Sequence, residues 1–139
     1  MLGAQQPLLA HLDSWENLER WCELLVAIQE ERQCVGGCPV GSLASELADQ
    51  DEEARLALVR SFDQWEQYLF EGFTSMRERG ELRPDANPGE LAVTVMTSLQ
   101  GGLLLTQTRK TTRPLQIALR AALTYVRSFA TGIEASFTG

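Results

Sequence analysis

Two cysteines four positions apart, Cys34 and Cys38, are the residues of this chain best suited to chemistry. Cys38 is followed by Pro39, and because proline is favoured in the first turn of a helix, Cys38 is expected at a helix N-terminus. The partial positive charge at that end of a helix favours the reactive thiolate. The pair could therefore act as a redox couple in which Cys38 reacts and Cys34 resolves it. The favoured interpretation is structural, with small polarizable cysteines packed at a junction between two helices.

Metal and acid–base chemistry find little support in the sequence. A zinc site needs four soft ligands, and the remaining candidates are Cys22 and the single histidine, His11. Nucleophilic catalysis needs a base beside the nucleophile, which one histidine outside any recognisable motif does not supply. Neighbouring carboxylates fall where helix N-termini and solvated helix faces explain them. We therefore expect no catalytic residues, no metal and no cofactor, and hence no enzyme.

Length, composition and charge limit the class of protein. With 139 residues, 44% of them hydrophobic and 22% charged, we expect one globular domain over residues 1–139. No apolar run approaches the roughly 18 residues that a membrane span needs, and no signal peptide is evident, so a cytoplasmic protein without a membrane partner is expected. The net charge of −7 is opposite to the basic surface that binds phosphates, so the chain itself is not expected to bind DNA well.

Helical patterns recur along the chain, and residues 4–11 resemble the end of a further short helix. Apolar residues at three- and four-residue steps, together with cap residues, predict the main helices. The predicted ranges are 14–34, 39–48, 50–79, 88–109 and 112–131. The expected fold class is therefore all-α, an orthogonal-type bundle of about five to six helices.

Cap signals set the expected ends of these helices. Asp13 is predicted to cap the first helix, because Glu16 follows three positions later, and Gly36 is predicted as its left-handed stop. Gly80 is expected to end the long third helix. Asn87, followed by proline and then glutamate, is the strongest start signal in the chain.

The last two predicted helices are apolar on more than one side. The preceding helices are too few to cover both, so the economical solution is a homodimer in which this pair forms a four-helix bundle with its symmetry mate. Gly101 and Gly102 lie in the middle of the first of these helices, where each glycine costs about 1 kcal/mol relative to alanine. A close contact with another helix is the favoured compensation, and contact with a bound ligand is the alternative.

Large aromatic side chains recur on several of the predicted helices. They are compatible with a solid core or with the wall of an apolar ligand pocket, and the pattern alone leaves both interpretations open. The aromatic set comprises Trp21, Phe62, Trp65, Tyr68, Phe70 and Phe73.

Four stretches in a fixed order resemble a known family. They are the run 37–48 around the glycine-cysteine-proline joint, residues 62–65, the Gly80 stop and the run 91–105. Together they resemble the C-terminal regulatory domain of TetR-type transcriptional repressors, with the LmrA/YxaF-like branch the most similar. The resemblance covers about residues 10–130.

The resemblance implies an all-helical domain that binds a small-molecule effector and forms a homodimer. The N-terminal helix-turn-helix domain of the family is expected to be absent, so DNA would be contacted only through that absent part. The implied mechanism is a population shift, in which an effector that fits one arrangement of the helices sets the spacing of the attached DNA-binding domains. The rival hypotheses are the redox sensor that uses Cys34 and Cys38, and a purely structural dimerisation module.

The resemblance also assigns residues to the two functions. The expected ligand is small and flat or apolar, and the effector-binding residues are Trp21, Leu25, Ile28, Leu43, Leu47, Phe62, Trp65, Leu69, Phe73, Met96, Leu99 and Gln100. The expected dimer-interface residues are Gly101, Leu104, Leu105, Leu115, Leu119, Ala122 and Val126.

Overall fold

The computed structural model describes residues 3–132. Two short 3₁₀ helices, Gly3–Gln5 and Leu8–His11, precede five α-helices. The α-helices are α1 (Trp15–Glu31), α2 (Pro39–Leu47), α3 (Glu52–Glu78), α4 (Pro88–Arg109) and α5 (Arg113–Arg127). Residues 3–132 contain no strand, so the all-α prediction is confirmed.

The N-terminus of α1 lies one residue later than expected. The cap is Ser14 and not Asp13, because Ser14 is the residue with extended backbone angles and its side chain accepts the Asn17 N–H. Asp13 instead pairs with Arg79 at the end of α3, at 3.3 Å. The predicted cap was wrong because two neighbouring residues can both cap a helix, and the long-range ion pair selects between them.

The C-terminus of α1 also differs from the expectation. Gln33, not Gly36, is the first left-handed residue, with a φ of 55°. The amides of Gln33 and Cys34 donate to the carbonyls of Glu30 and Gln29, which is the Schellman pattern. The helix therefore ends before the glycines, whose positive φ values serve the joint that follows.

The last helix is shorter than predicted, ending at Arg127 rather than near residue 131. The segment after it makes backbone hydrogen bonds to the α3–α4 loop. The Arg83 amide donates to the Phe129 carbonyl at 2.8 Å, and the Thr131 amide donates to the Glu81 carbonyl at 3.1 Å. These long-range bonds hold the end of the chain against the loop, which local helical periodicity cannot reveal.

The ends of the two central helices agree with the prediction. Gly80 has a φ of 81°, and its amide and that of Glu81 close a Schellman motif at the end of α3. The Asn87 side chain accepts the Glu90 amide at the start of α4. Strong local cap chemistry therefore fixes the α3–α4 connection.

Helix α4 is central to the packing, with contacts to both α3 and α5. Gly102 faces α5, where an added Cβ would lie 3.1 Å from atoms of Leu115 and Ala118. The buried Thr106 hydroxyl accepts the Leu115 amide at 3.1 Å. The compensation predicted for Gly102, a close helix contact, is therefore confirmed.

The core is formed by apolar side chains from α1, α3, α4 and α5, with Leu9 and Leu12 from the N-terminal segment. Trp21, Trp65 and Phe73 are its largest fully buried members. Among the helices of residues 3–132, none is both long and apolar enough to cross a membrane.

Candidate functional site

The joint between α1 and α2 is a tight loop of left-handed residues. Gln33, Cys34, Gly36 and Gly37 all have positive φ, and Cys38 then returns to extended geometry as the cap of α2. The Lys110 ammonium, just beyond α4, donates to the Cys34 carbonyl at 3.1 Å. The joint is thereby attached to the far end of α4.

At Gly37 and Gly41 the backbone lies against side chains of α4. At Gly37 an added Cβ would lie 2.5 Å from the Gln107 side-chain oxygen, and at Gly41 it would lie 2.7 Å from the Gln100 oxygen. Gln100 and Gln107 are seven residues apart and therefore lie on the same side of α4. The glycines leave room for two carboxamides between the helices.

An open groove of about 810 Å³ lies between α2 and the C-terminal half of α4. This volume is in the range of small-molecule sites. The lining is mixed apolar and polar, and Phe62 is the contribution of α3. The lining residues are Cys38, Gly41, Ser42, Ala44, Glu46, Phe62, Gln100, Gly101, Leu103, Leu104, Gln107, Thr108 and Lys110.

Gln100 provides an unpaired hydrogen-bond donor at this groove. Its side-chain nitrogen is buried and has no hydrogen-bond partner. A buried polar group without a partner costs about 1–3 kcal/mol, and an acceptor such as a carbonyl oxygen would recover that energy once the carboxamide turned its nitrogen into the groove. The groove is therefore suited to a ligand with an apolar body and an acceptor group.

The thiols of the joint are both buried and both free. The Cys38 sulfur accepts the Gly41 amide at 3.4 Å, so it acts as the cap of α2. Cys34 does not line the groove, whereas Cys38 does. Among residues 3–132, no three His, Cys, Asp or Glu side chains come together as a possible metal site.

The tetracyclin repressor-like C-terminal domain family matches residues 14–122, which is most of the chain. The chain belongs to this family. Relatives of the chain are named as HTH-type transcriptional regulators.

Three relatives of this TetR-type domain illustrate the similarity. The HTH-type transcriptional repressor DhaR of Mycobacterium sp. strain GP1 is 30% identical over 79 residues, covering 57% of this chain and 40% of DhaR. The HTH-type regulator YxaF of Bacillus subtilis is 27% identical over 111 residues, covering 80% of this chain and 56% of YxaF. A Mycobacterium tuberculosis HTH-type regulator is 29% identical over 89 residues, covering 60% and 43% respectively.

The chain thus spans about half the length, or less, of the curated relatives it matches. No solved structure matches it at a comparable level of significance.

The residues expected to bind an effector in this TetR-type domain fall into three groups. Phe62 and Gln100 line the groove. Leu43 is exposed on α2, while Ile28 and Leu47 are half-buried. The others are buried side chains of the core, where Trp21 donates its indole N–H to the buried Gln5 at 2.8 Å. These core members are Trp21, Leu25, Trp65, Leu69, Phe73, Met96 and Leu99.

The residues expected at the dimer interface differ in whether they are exposed or buried. Gly101, Leu104 and Leu105 are exposed on α4. The α5 members are buried within their own protomer, where they pack in its core; they are Leu115, Leu119, Ala122 and Val126.

Helices α4 and α5 expose a continuous surface without charge, called here the uncharged face. No charged residue occurs between positions 91 and 108. The large apolar side chains of the surface are 43–62% exposed. The uncharged face comprises Val93, Thr97, Gly101, Leu104, Leu105 and Thr108 of α4, and Ile117, Ala121 and Tyr125 of α5.

Two charged side chains of α5, Arg120 and Arg127, lie on the side of that helix that faces α1. Arg113, Arg120 and Arg127 are seven residues apart and therefore lie along one line. Arg127 pairs with Glu19 of α1 and lies 5.4 Å from the centre of the Trp15 ring. Arg127 thus contacts the acidic α1, whereas Arg113 lies one turn before Ile117, at the edge of the uncharged face.

A second groove of about 480 Å³ lies between α1 and α5. It is lined by acidic side chains of α1, by Arg120 and Arg127, and by Cys22. Burial, and next the neighbouring Glu19 and Glu23, raise the pKa of the Cys22 thiol from 9.0 to about 12. Cys22 therefore stays protonated, and so unreactive, at neutral pH.

The sequence interpretation missed several groove residues. Gly41 was recognised only as part of the joint, Ser42 and Ala44 only as part of the run 37–48, and Gln107 was not among the candidate residues. The seven-residue spacing of Gln100 and Gln107 is a signal that could have found the polar side of the groove.

Proposed function

We propose that the chain is the effector-binding and dimerising part of a TetR-type transcriptional repressor. In this proposal a small molecule binds the groove between α2 and α4, and the chain forms a homodimer through the uncharged face. The regulator acts on DNA in the cytoplasm through a helix-turn-helix (HTH) domain. The relatives of the chain are named as HTH-type regulators. The groove with its unpaired Gln100 nitrogen is the observation that carries the proposal.

The chemistry of the groove indicates the class of effector. Phe62, Leu103 and Leu104 supply apolar contact area, and Gln100 supplies a donor beside them. Apolar lining with a few convergent polar groups is typical of small-molecule sites. We therefore expect a mainly apolar or aromatic molecule that carries a carbonyl or another acceptor.

The uncharged face supports dimerisation. Regulators of this family typically form dimers, and a two-fold dimer requires a surface that is complementary to itself. A surface without charge meets its own copy with no like-charge repulsion. Burial of its apolar area contributes about 25 cal/mol per Å² before the cost of association.

The proposed mechanism is a shift between two arrangements of the dimer. The effector binds one arrangement more tightly and so increases its population. Because the groove lies between α2 and α4, and α4 contributes to the uncharged face, a ligand there can change the position of α4 within the dimer. The spacing of the attached DNA-binding domains would change with it.

A ligand screen with a blocked-groove variant tests effector binding. Neutral apolar and aromatic compounds that carry a carbonyl group would be screened by thermal shift against the wild-type chain, Ala44→Trp and Leu56→Trp. A compound present at 100 times its Kd stabilises the fold by about 2.7 kcal/mol, which raises the Tm by several degrees. We expect this shift for the wild type and for Leu56→Trp, whose substitution lies on α3 outside the groove.

Ala44→Trp is expected to lose the shift, because the indole ring fills the groove. An equal shift in both variants would place the ligand elsewhere. Failure of the whole library to shift the wild-type chain would favour the structural dimerisation module.

A further inference from the structure

The groove between α2 and α4 carries opposite charges at its two ends. Of the described residues that line it, Lys110 and Glu46 are the charged ones. The Lys110 ammonium donates to the Cys34 carbonyl in the joint before α2, whereas Glu46 belongs to the last turn of that helix. From Cys38 to Glu46 the helix extends about 12 Å at roughly 1.5 Å per residue. The groove therefore has a cationic end at the joint and an anionic end at the far end of α2.

Lys110 is held at the groove, but no carboxylate neutralises its charge. It ends α4 with left-handed backbone angles, and its amide donates to the Thr106 carbonyl. Its Nζ lies 3.1 Å from the Cys34 carbonyl oxygen, and this long-range bond attaches the side chain to the joint. The ion pairs formed among residues 3–132 do not include Lys110. An ammonium has three N–H donors, and the Cys34 carbonyl takes one of them.

We propose that the effector of this groove is an amphipathic carboxylic acid whose carboxylate binds Lys110. Its apolar body would lie along Phe62, Leu103 and Leu104, which supply the apolar lining. Hydrogen bonds between an ammonium and a carboxylate are charge-assisted and roughly twice as strong as neutral ones. This inference rests on the proposed effector binding, and it narrows the effector from molecules with any acceptor group to acids.

A second cation adds to the positive potential at this end of the groove. The Arg32 guanidinium donates to the Gly37 carbonyl at 3.4 Å, and a Cβ added at Gly36 would lie 2.6 Å from one of its nitrogens. Within residues 3–132, Arg32 also has no ion-pair partner. Helix α2 begins directly after the joint, so the partial positive charge of its N-terminus has the same sign. An anionic group is thus attracted to this end even though the chain has a net charge of −7.

The balance of charge favours one negative charge on the ligand. Lys110 is the cation of the described lining, and Glu46 at the other end repels a second anionic group. A carboxylate carries a single charge, which one ammonium balances. A phosphate monoester carries about −1.5 to −2 charges at neutral pH and would keep an unbalanced charge in the groove. A monocarboxylate with an apolar body therefore fits both ends.

The test compares each of three acids with its own uncharged primary amide. The acids are 2-naphthoate, 4-phenylbutanoate and decanoate, titrated against the wild-type chain by calorimetry. Because the members of a pair have nearly the same shape, the ratio of their affinities isolates the charge. We expect at least one acid to bind, about tenfold more tightly than its amide. Ala44→Trp, which blocks the groove, should abolish the binding of both.

Substitutions at Lys110 assign the preference to its charge. In Lys110→Met the ratio should fall below about twofold, whereas Lys110→Arg, which keeps the charge, should preserve most of the preference. The amide should bind the wild type and Lys110→Met equally well, which shows that the groove is intact. Glu46→Gln is the matched control, because it removes a charge from the opposite end of the same groove and should keep or increase the preference for the acid.

The dependence on salt gives a readout that a purely structural role of Lys110 would not change. Salt screens the attraction between the carboxylate and the ammonium. Raising the NaCl concentration should therefore weaken binding of the acid to the wild type and leave binding of the amide unchanged. In Lys110→Met the acid should lose most of this dependence.

The outcomes separate this inference from the proposed function. An amide that binds the wild type as tightly as its acid, and is lost in Ala44→Trp, would overturn the acid class and leave the effector site standing. A preference for the acid that persists in Lys110→Met would overturn the role of Lys110. Failure of all three acids to bind would also overturn the acid class, while the thermal-shift screen decides separately whether the groove binds an effector.

Discussion

Gln100 is the residue that most directly links the sequence to the proposed chemistry. Its amide nitrogen is buried without a hydrogen-bond partner. A buried donor without a partner costs free energy that a bound acceptor would recover.

Gln100→Leu is predicted to stabilise the fold and at the same time to weaken effector binding. Removal of the unpaired donor by a side chain of similar size should raise the free energy of unfolding by about 1 kcal/mol. The same change should weaken effector binding at least tenfold, because the acceptor on the ligand loses its partner. Urea denaturation and titration calorimetry measure the two quantities, and a destabilised variant that still binds normally would show that the carboxamide serves the fold.

Cys22 gives a prediction about pH. Because its pKa in the folded chain is about 12 and not 9.0, the folded state holds the thiol proton more tightly than the unfolded state. The resulting stabilisation is complete below pH 9 and is lost as the pH rises towards 12. Between pH 9 and 11 the free energy of unfolding should therefore fall more steeply for the wild type than for Cys22→Ala, by up to about 1.4 kcal/mol per pH unit.

Urea denaturation at pH 9, 10 and 11 measures both slopes. Cys22→Ala removes no other ionisable group, so the difference between the two slopes isolates the thiol. Parallel slopes would contradict the buried environment assigned to Cys22.

Residue types predicted much of the groove chemistry, but not the position of each side chain. The glycine joint and Gln100 were recognised from the sequence, and both lie at the groove. The aromatic stripe was ambiguous because core and pocket side chains share the same helical periodicity. Trp21 and Trp65 are buried in the core, whereas Phe62, three residues from Trp65, lines the groove.

At the scale of the elements, the sequence predicted all five α-helices and the chain order. Helix-cap signals predicted the correct residue where no neighbouring residue could also cap the helix, as at Asn87 and Gly80. They failed where a distant partner decides the outcome. Arg79 pairs with Asp13 and leaves Ser14 as the cap, and residues 81–83 hold the chain after α5.

A substitution at Gly72 tests how the N-terminal segment packs on α3. An added Cβ at Gly72 would collide with the backbone carbonyl of Leu12, so the segment lies directly on the helix at this glycine. Gly72→Ala is predicted to destabilise the fold by about 3 kcal/mol, at the upper end of overpacking costs, because backbone cannot move aside as a side chain can. The matched control, Gly3→Ala, has no atom near the new methyl group and should change stability by less than about 0.5 kcal/mol.

Thermal and urea denaturation of the two variants measure the difference. A Gly72→Ala variant as stable as the control would mean that the segment does not pack against α3 as described.

At the scale of the whole molecule, the apolar excess in α4 and α5 predicts an oligomer, and part of that excess is buried within the protomer. Helical periodicity shows that a position is apolar, and it does not show whether the same protomer or a second one covers it. Leu119 and Val126 are covered within the protomer, whereas Ile117 and Tyr125 remain exposed. The proposed interface therefore keeps the predicted α4 residues and takes different residues from α5.

Sedimentation velocity at micromolar concentration tests the central claim, that the uncharged face joins two copies of this regulatory domain. Leu105 is exposed on that face and does not line the groove, while Leu56 is similarly exposed on α3. The account predicts a dimer for the wild type and for Leu56→Arg, and a folded monomer for Leu105→Arg, because a buried unpaired charge costs several kcal/mol. A monomeric wild-type chain, or a Leu105→Arg chain that remains dimeric, would contradict it.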